Sequence, residues 1–472
     1  MKDLNVCIMN DSFPPTIDGV ANCAFNYADI LTQNNHNVVV ATPKYPDVKD
    51  NYDFEVLRYA SVDATKLIGY RAGIPYNPKV ISELSQKNID IIHTHCPAMS
   101  AVLGRTLRKN IRKPLIFTYH TKFDIEIRKA IDLHMIQEAI IKVMIDNISA
   151  CDEVWVVSKG AGENMRSMGY EGDYIVMPNG VDFDKGRANE ELIDDVVKKY
   201  HLDKNIPTYL FVGRMYWYKG LKIILDALKK KKEAGQKFQF LGVGSGRELE
   251  EIKQYSIDLG LQDECQFIGP IYDRNYLKAI FSASDLFLFP STYDTNGIVV
   301  REAAASGLAS VLIEGSCAAE DTEPMRNCLW IKENADSMAK LLIETGDNKE
   351  LFRSLGDNAM NDLYMSWEDS VLNAYKRYEY VSEKFDPSDV SRFSFDPNEG
   401  MMSLVSSLSD IMTMNQKAVN VSKDVFGDLK GIVDMTGWRR EEIDFYVSKM
   451  QEESFEDYLE KIAVQTKDIL NK

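Results

Sequence analysis

The chain is predicted to be α/β, with two parallel, doubly wound sheets and a helical extension at the C-terminal end, on three observations. Short apolar runs alternate with stretches of helical periodicity from residue 4 onward. The alternation begins again after the charged segment 184–201. Glycines, basic residues and carboxylates concentrate directly after the apolar runs, and sheets of this kind bind ligands outside the C-terminal ends of their strands.

Leu4–Met9, Val38–Ala41, Ile89–Ile92, Leu115–Tyr119 and Val154–Val157 are expected as strands, because a strand covered on both faces reads as a continuous apolar run. Helices fill most of the intervals. A second set follows at Tyr209–Val212, Phe238–Leu241, Cys265–Ile268, Leu286–Phe289 and Ser310–Ile313. Each set makes a Rossmann-like domain, the first over 1–184 and the second over 185–365. After Met365-Ser-Trp367 helical spacing runs to about Phe385, and this 366–385 helix is expected to return to the first domain. Asp386-Pro and Phe395-Asp-Pro-Asn then interrupt the pattern, so 386–472 is expected as a linker and helical appendage. Within it Leu404, Val405, Leu408, Ile411 and Met412 recur at helical spacing, an apolar stripe that needs a surface to pack on. This tail is the candidate contact for a homo-oligomer or a protein partner.

Composition narrows the function classes. Of 472 residues, 45% are hydrophobic and 27% charged, ordinary values for a globular enzyme with a sizeable core. Acidic residues outnumber basic ones by 72 to 55, and the net charge of −17 argues against general binding to nucleic acid or anionic lipid. The seven cysteines are scattered, odd in number and without a CxxC pair, which suits reduced thiols in the cytoplasm and disfavours structural zinc. The opening residues enter a strand with no apolar segment long enough for secretion or for crossing a bilayer. A cytoplasmic location is therefore expected. The run Arg105, Arg108, Lys109, Arg112 and Lys113, followed by the amphipathic stretch 125–148, offers a peripheral contact with the inner membrane face; a solvated surface is the alternative.

The most informative segment is Pro290-Ser-Thr-Tyr-Asp-Thr-Asn-Gly-Ile-Val-Val-Arg-Glu-Ala-Ala-Ala-Ser-Gly307. It follows a buried strand and sets Asp294 before a helix and Glu302 inside it. Backbone N–H groups from Asn296 through Gly297, Ile298 and Val299 to Val300 would be the helix's unpaired donors, and with the positive end of its dipole they suit a diphosphate. This segment resembles the signature of retaining glycosyltransferases of family four, in which two acids separated by seven residues grip a nucleotide-sugar. Here the first acid is Asp where the family usually has Glu.

The resemblance extends over about residues 4–385 and rests on a combination of motifs. Phe211-Val-Gly-Arg-Met-Tyr-Trp-Tyr-Lys-Gly-Leu221 is similar to the family's Gly-Arg and Lys-Gly pair, which implies that Arg214 and Lys219 neutralise the leaving diphosphate in place of a metal. Asn10 to Gly19 is similar to the opening loop beside the donor phosphates. Leu241-Gly-Val-Gly-Ser-Gly resembles the second-domain glycine loop, so Gly244 is expected near the nucleotide, and Ile268 in Phe267-Ile-Gly-Pro lies where the family contacts the base. His120, in Phe117-Thr-Tyr-His-Thr, corresponds to a histidine on the transferred sugar. Pro178-Asn-Gly-Val-Asp182 matches the entry to the domain connection.

What the resemblance implies is a GT-B enzyme, two Rossmann-like domains facing across a cleft. The first is on the acceptor side and the second holds the donor. The reaction would be retaining transfer of a hexose from a nucleoside diphosphate sugar, UDP-sugar favoured, to a hydroxyl of a glycan, glycolipid or small-molecule acceptor. Asp294, His120, Arg214 and Lys219 would be catalytic. Glu302 would bind the ribose. No cofactor or metal is expected: His93 and His95 share a strand face but lack further convergent ligands. A non-catalytic relative that binds a partner, and a nucleotide-sugar epimerase, are the alternatives. Asp294, Gly307-Leu-Ala-Ser-Val311 and Asn327-Cys-Leu depart from the family pattern and bear on donor identity.

Overall fold

The computed structural model describes residues 3–388 apart from 17, 64–70, 76–77 and 131–133. The predicted appendage, including Leu404 to Met412, lies outside the described residues. The described residues form two compact units: 3–156, 163–175 and 374–388 make the first, and 157–162 with 176–373 make the second. The chain enters the second unit briefly over 157–162 and again from Val176, ahead of the charged segment 184–201. That segment is itself a helix, Glu190–Lys199, capped by Asn189.

The first unit contains β1 (Asn5–Met9), β2 (Asn37–Pro43), β3 (Glu55–Tyr59), the small antiparallel pair β4 (Ser61–Val62) and β5 (Ala72–Gly73), β6 (Ile91–Thr94), β7 (Leu115–Tyr119), β8 (Glu153–Val156) and β9 (Ile175–Val176). The main sheet has the order β3-β2-β1-β6-β7-β8-β9. Its strand order reverses between β1 and β6, which makes that junction the crevice of the sheet. Met9 lies opposite Thr94, and Thr94 opposite Phe117, so the loops after β1, β6 and β7 leave from one edge. Cys7, Ile8, Ile91, Ile92, Ile116 and Phe117 are fully buried along the central strands.

The second unit contains β10 (Thr208–Val212), β11 (Gln239–Val243), β12 (Cys265–Gly269), β13 (Leu286–Phe289), β14 (Ser310–Ile313) and β15 (Cys328–Ile331), in the parallel order β12-β11-β10-β13-β14-β15. Here the order reverses at β10 and β13. Val212 is level with Val243, and Leu210 with Phe287, so the segments that begin at Gly213, Gly244 and Pro290 emerge together.

The helix Trp367–Lys384 begins in the second unit and belongs to the first from Ala374. There the Tyr375 hydroxyl accepts from Leu4 N–H at 3.1 Å, its ring stacks 3.9 Å from His36, and Arg377 forms a two-pronged ion pair with Glu153. Tyr378 reaches His93 Nδ1 at 2.5 Å. Leu4, Tyr375 and Tyr378 are all buried, so these contacts are part of the first unit's core. All seven cysteines are unbridged and buried. Among the described residues no helix is long and apolar enough to cross a membrane.

Candidate active site

In the second unit the loops at the strand-order reversal lock to one another through backbone. Gly213 N–H donates to Val243 O, Met215 N–H to Ser245 O and Gly244 N–H to Gly269 O, at 2.9–3.0 Å. Close approach explains the glycines: a Cβ on Gly244 would stand 1.9 Å from Gly213 O, and one on Gly246 2.3 Å from Met215 O. Gly244 also has φ +140, a conformation that side chains resist.

Lys219 and Asp294 meet in this setting. Lys219 Nζ donates to both carboxylate oxygens at 2.8 and 2.9 Å, and Ser291 Oγ donates to Oδ2 at 2.7 Å. Lys219 is only 9% exposed, while Arg214 is exposed with its guanidinium 5.9 Å from the Tyr216 ring. The two expected phosphate partners therefore differ: one cation is already engaged with a carboxylate and the other faces solvent. Three tyrosines that sequence reasoning did not single out surround the pair. Tyr216 stacks on Tyr218 at 5.3 Å, and Tyr218 lies 4.8 Å from Tyr293.

The helix carrying Glu302 is Ile298–Ala305. Gly297, in the left-handed conformation with φ 63, turns the chain into it, and no side chain caps its first turn. Val300 N–H already donates to Gly297 O at 2.8 Å, so it leaves the expected donor set. Asn296 Nδ2 is committed to Val157 O at 2.7 Å, whereas its buried Oδ1 has no partner among the described residues. Glu302 is buried and paired with Arg274, which also sits 3.7 Å from Asp182 and 4.3 Å from the Phe183 ring. Burial raises the Glu302 carboxyl above its ordinary value, and Arg274 opposes that rise. Arg274 follows Asp273, an N-cap, and nothing in its sequence context marked it. Ile268 is half-buried on β12 against the second unit's core.

In the first unit, His95 Nδ1 lies 2.9 Å from His120 Nε2 and 4.0 Å from Cys23 Sγ. His93 does not join them as a strand-face pair, because its ring nitrogens go to Tyr378 and, at 2.7 Å, to Thr118. The sequence showed no further ligand beside His93 and His95; in the fold the two rings remain neighbours, and Cys23, His95 and His120 come together. Burial pushes His120 down to about 3 and lowers His95 and His93 well below the imidazole range, so all three are neutral near pH 7.

Gly19 starts the helix Gly19–Gln33 and is exposed, and Asp18 already caps that helix by accepting from Val20 and Ala21 N–H at 2.8 and 2.7 Å. Asp11 likewise caps the helix Met99–Ile111, accepting from Met99 and Ser100. The basic run is mostly consumed inside the unit. Arg108 is buried in a two-pronged pair with Asp152, Arg105 donates to Asn147, and Lys113 pairs with Asp90. Only Lys109 and Arg112 of the five are exposed, so the expected lipid contact lacks most of its charge.

Two sheets of this topology, with a phosphate-suited edge in the second, define a GT-B glycosyltransferase. Residues 17–185 match the family model Glycosyltransferase Family 4, and residues 193–362 match Glycosyl transferases group 1. The chain belongs to this family. It is 23% identical over 355 residues to an alpha-monoglucosyldiacylglycerol synthase of Streptococcus pneumoniae, an alignment covering 74% of this chain and 80% of that one. Among solved structures, sucrose-phosphate synthase from Thermosynechococcus elongatus shares the fold with a TM-score of 0.64 at 21% identity, over 80% of this chain and 99% of that one. Anabaena Alr3699/HepE, solved with UDP and glucose, has a TM-score of 0.61 at 17% identity, over 80% and 99% of the two chains.

Proposed function

We propose that the enzyme transfers a hexose, with retention of configuration, from a nucleoside diphosphate sugar to a hydroxyl of a glycan or glycolipid. A UDP-sugar is the favoured donor. The observation that carries this reading is the Lys219–Asp294 pair at 2.8 Å, set where the second sheet reverses order and beside an uncapped helix start. Arg214, Lys219 and the amides of Ile298 and Val299 take the diphosphate, and electrostatic stabilisation of a leaving group in such a setting is a large part of catalysis. Glu302 receives the ribose hydroxyls once Arg274 yields or shares it. Asp294 and, by the family resemblance, His120 orient the sugar.

In the transfer, the bond between the sugar C1 and the diphosphate oxygen breaks as the acceptor oxygen bonds to the same face of C1. The acceptor's proton leaves with the diphosphate. A glycolipid acceptor is suggested by the S. pneumoniae relative, whose name gives a glucosylated diacylglycerol as product, and UDP by the ligand of the Anabaena structure. Peripheral contact with the membrane would bring such an acceptor within reach.

A binding screen of nucleoside diphosphate sugars, followed by turnover with lipid vesicles and with soluble glycans, tests the proposal. One donor is expected to bind and to be turned over with release of its nucleoside diphosphate in EDTA. Binding without transfer to any acceptor, or activity that EDTA removes and a divalent ion restores, counts against it.

A further inference from the structure

We propose that Cys23, His95 and His120 form a binding site for a borderline-soft divalent cation of the zinc class, and that an ion held there inhibits sugar transfer by occupying His120. The inhibitory half rests on the role given to His120 above, and the site itself does not.

Three separate elements supply the ligands. Cys23 lies on the helix Gly19–Gln33, and His95 and His120 directly follow β6 and β7. Their ligand atoms all lie within 4.8 Å of one another. A zinc ion roughly 2.0–2.1 Å from nitrogen and 2.3 Å from sulfur sets tetrahedral ligand edges of roughly 3.3–3.6 Å. The 2.9 Å between the two imidazole nitrogens and the 4.0 Å from Cys23 Sγ to His95 Nδ1 bracket those edges, and the third edge is within 4.8 Å, so an ion would draw the Cys23 thiol in toward the two rings.

The chemistry agrees with the geometry. Two imidazoles that face each other nitrogen to nitrogen hold a single proton between them, and a cation in its place lets both rings donate lone pairs. His95 is 1% exposed and turns Nδ1, not its unpartnered Nε2, toward His120 and Cys23, so the ligand atom is out of solvent. The placement of His95 is firm: its backbone N–H donates to Met9 O at 2.9 Å, and Tyr27 and His93 pack against the ring. One thiolate and two imidazoles select zinc or cobalt over magnesium or calcium. Three protein ligands leave a fourth position for water, and His120, at 7% exposure the most open of the three, gives the approach. Cys23 stands 72 residues from His95, which is why no ligand spacing appears in the sequence.

The test titrates the full chain, reduced and metal-free, with Co2+ and then Zn2+. Expected are a thiolate-to-cobalt charge-transfer band, visible bands of a tetrahedral ion, and their loss on adding Zn2+. Cys23→Ser should lose the charge-transfer band and bind at least about tenfold more weakly while keeping the melting temperature of the parent. His95→Gln is the second variant, should Cys23→Ser fold poorly. A folded parent with no band, or a band unchanged in both variants, overturns the site. Zn2+ should then inhibit turnover by the parent and inhibit Cys23→Ser far less. Cobalt binding without inhibition overturns the inhibitory half and the role of His120 together. If no nucleotide-sugar is turned over at all, the proposed function fails and the cobalt spectrum alone decides the site.

Discussion

Lys219 and Asp294 cannot be judged separately, because each is the other's main partner at 2.8 Å. Lys219→Ala removes a charge-assisted contact to the diphosphate worth ~1.5–3 kcal/mol, or roughly a tenfold to hundredfold loss of turnover, and it also releases Asp294. The double variant Lys219→Ala/Asp294→Ala should therefore lose less than the product of the single losses, which a double-mutant cycle on turnover would show. Arg214, exposed and outside that pair, should behave additively with either. Glu302→Ala is expected to weaken binding of free UDP, whereas Asp294→Ala should spare UDP binding and depress turnover; calorimetry on the two variants separates the roles. At this scale the sequence marked Arg214, Lys219, Asp294 and Glu302, because each falls in a motif after a strand end that resembles the family's. Arg274 and Cys23 were invisible, since they reach their partners through folding and not through spacing.

The elements carry their own consequences. Gly244→Ala should force a Cβ against Gly213 O, 1.9 Å away, at a strain cost of roughly 1–3 kcal/mol; a lowered melting temperature and weaker nucleotide binding are the expected readouts. In the helix Leu221–Glu233, Lys231 is fully buried, donating to Gln236 and to Leu342 O, and burial pushes it down to about 8. Between about 8 and the ordinary lysine value of 10.5 the unfolded chain holds more protons than the folded one, so stability should rise with pH across that window. Urea melts of the parent and Lys231→Met should show a pH slope in the first that the second lacks. Strands Leu115–Tyr119, Leu286–Phe289 and Ser310–Ile313 were legible to the residue, being mostly apolar and buried at every position. β3 was not, because Glu55 and Arg58 interrupt an edge strand with one half-open face. β15 was not singled out either, although Cys328–Ile331 is a four-residue run like β13, with Trp330 half-exposed in it.

For the whole molecule, every motif residue and, among the described residues, both cores lie at or before the helix Trp367–Lys384. A chain ending at Asp386 should keep nucleotide binding, and a change in its solution mass relative to the full chain would assign the tail to assembly. Ending at Asn373 should instead destabilise the first unit, since it removes Tyr375, Arg377 and Tyr378 from their partners. Tyr378→Phe is the milder probe: it leaves the buried His93 short of one bond, at a cost of about 1–3 kcal/mol by chemical denaturation.

The contact between Leu4 and Tyr375 spans 371 positions. During synthesis the first strand leaves the ribosome long before the helix that covers its start, and the second unit is made in the interval. The nascent N-terminal unit therefore waits, its His36 face and the His93 ring uncovered, until residues 375–378 emerge. The second unit, almost contiguous in the chain, has no such wait and can complete its own core first. The part of the enzyme made earliest is thus finished last, and chaperones that guard exposed apolar surface would be needed chiefly there.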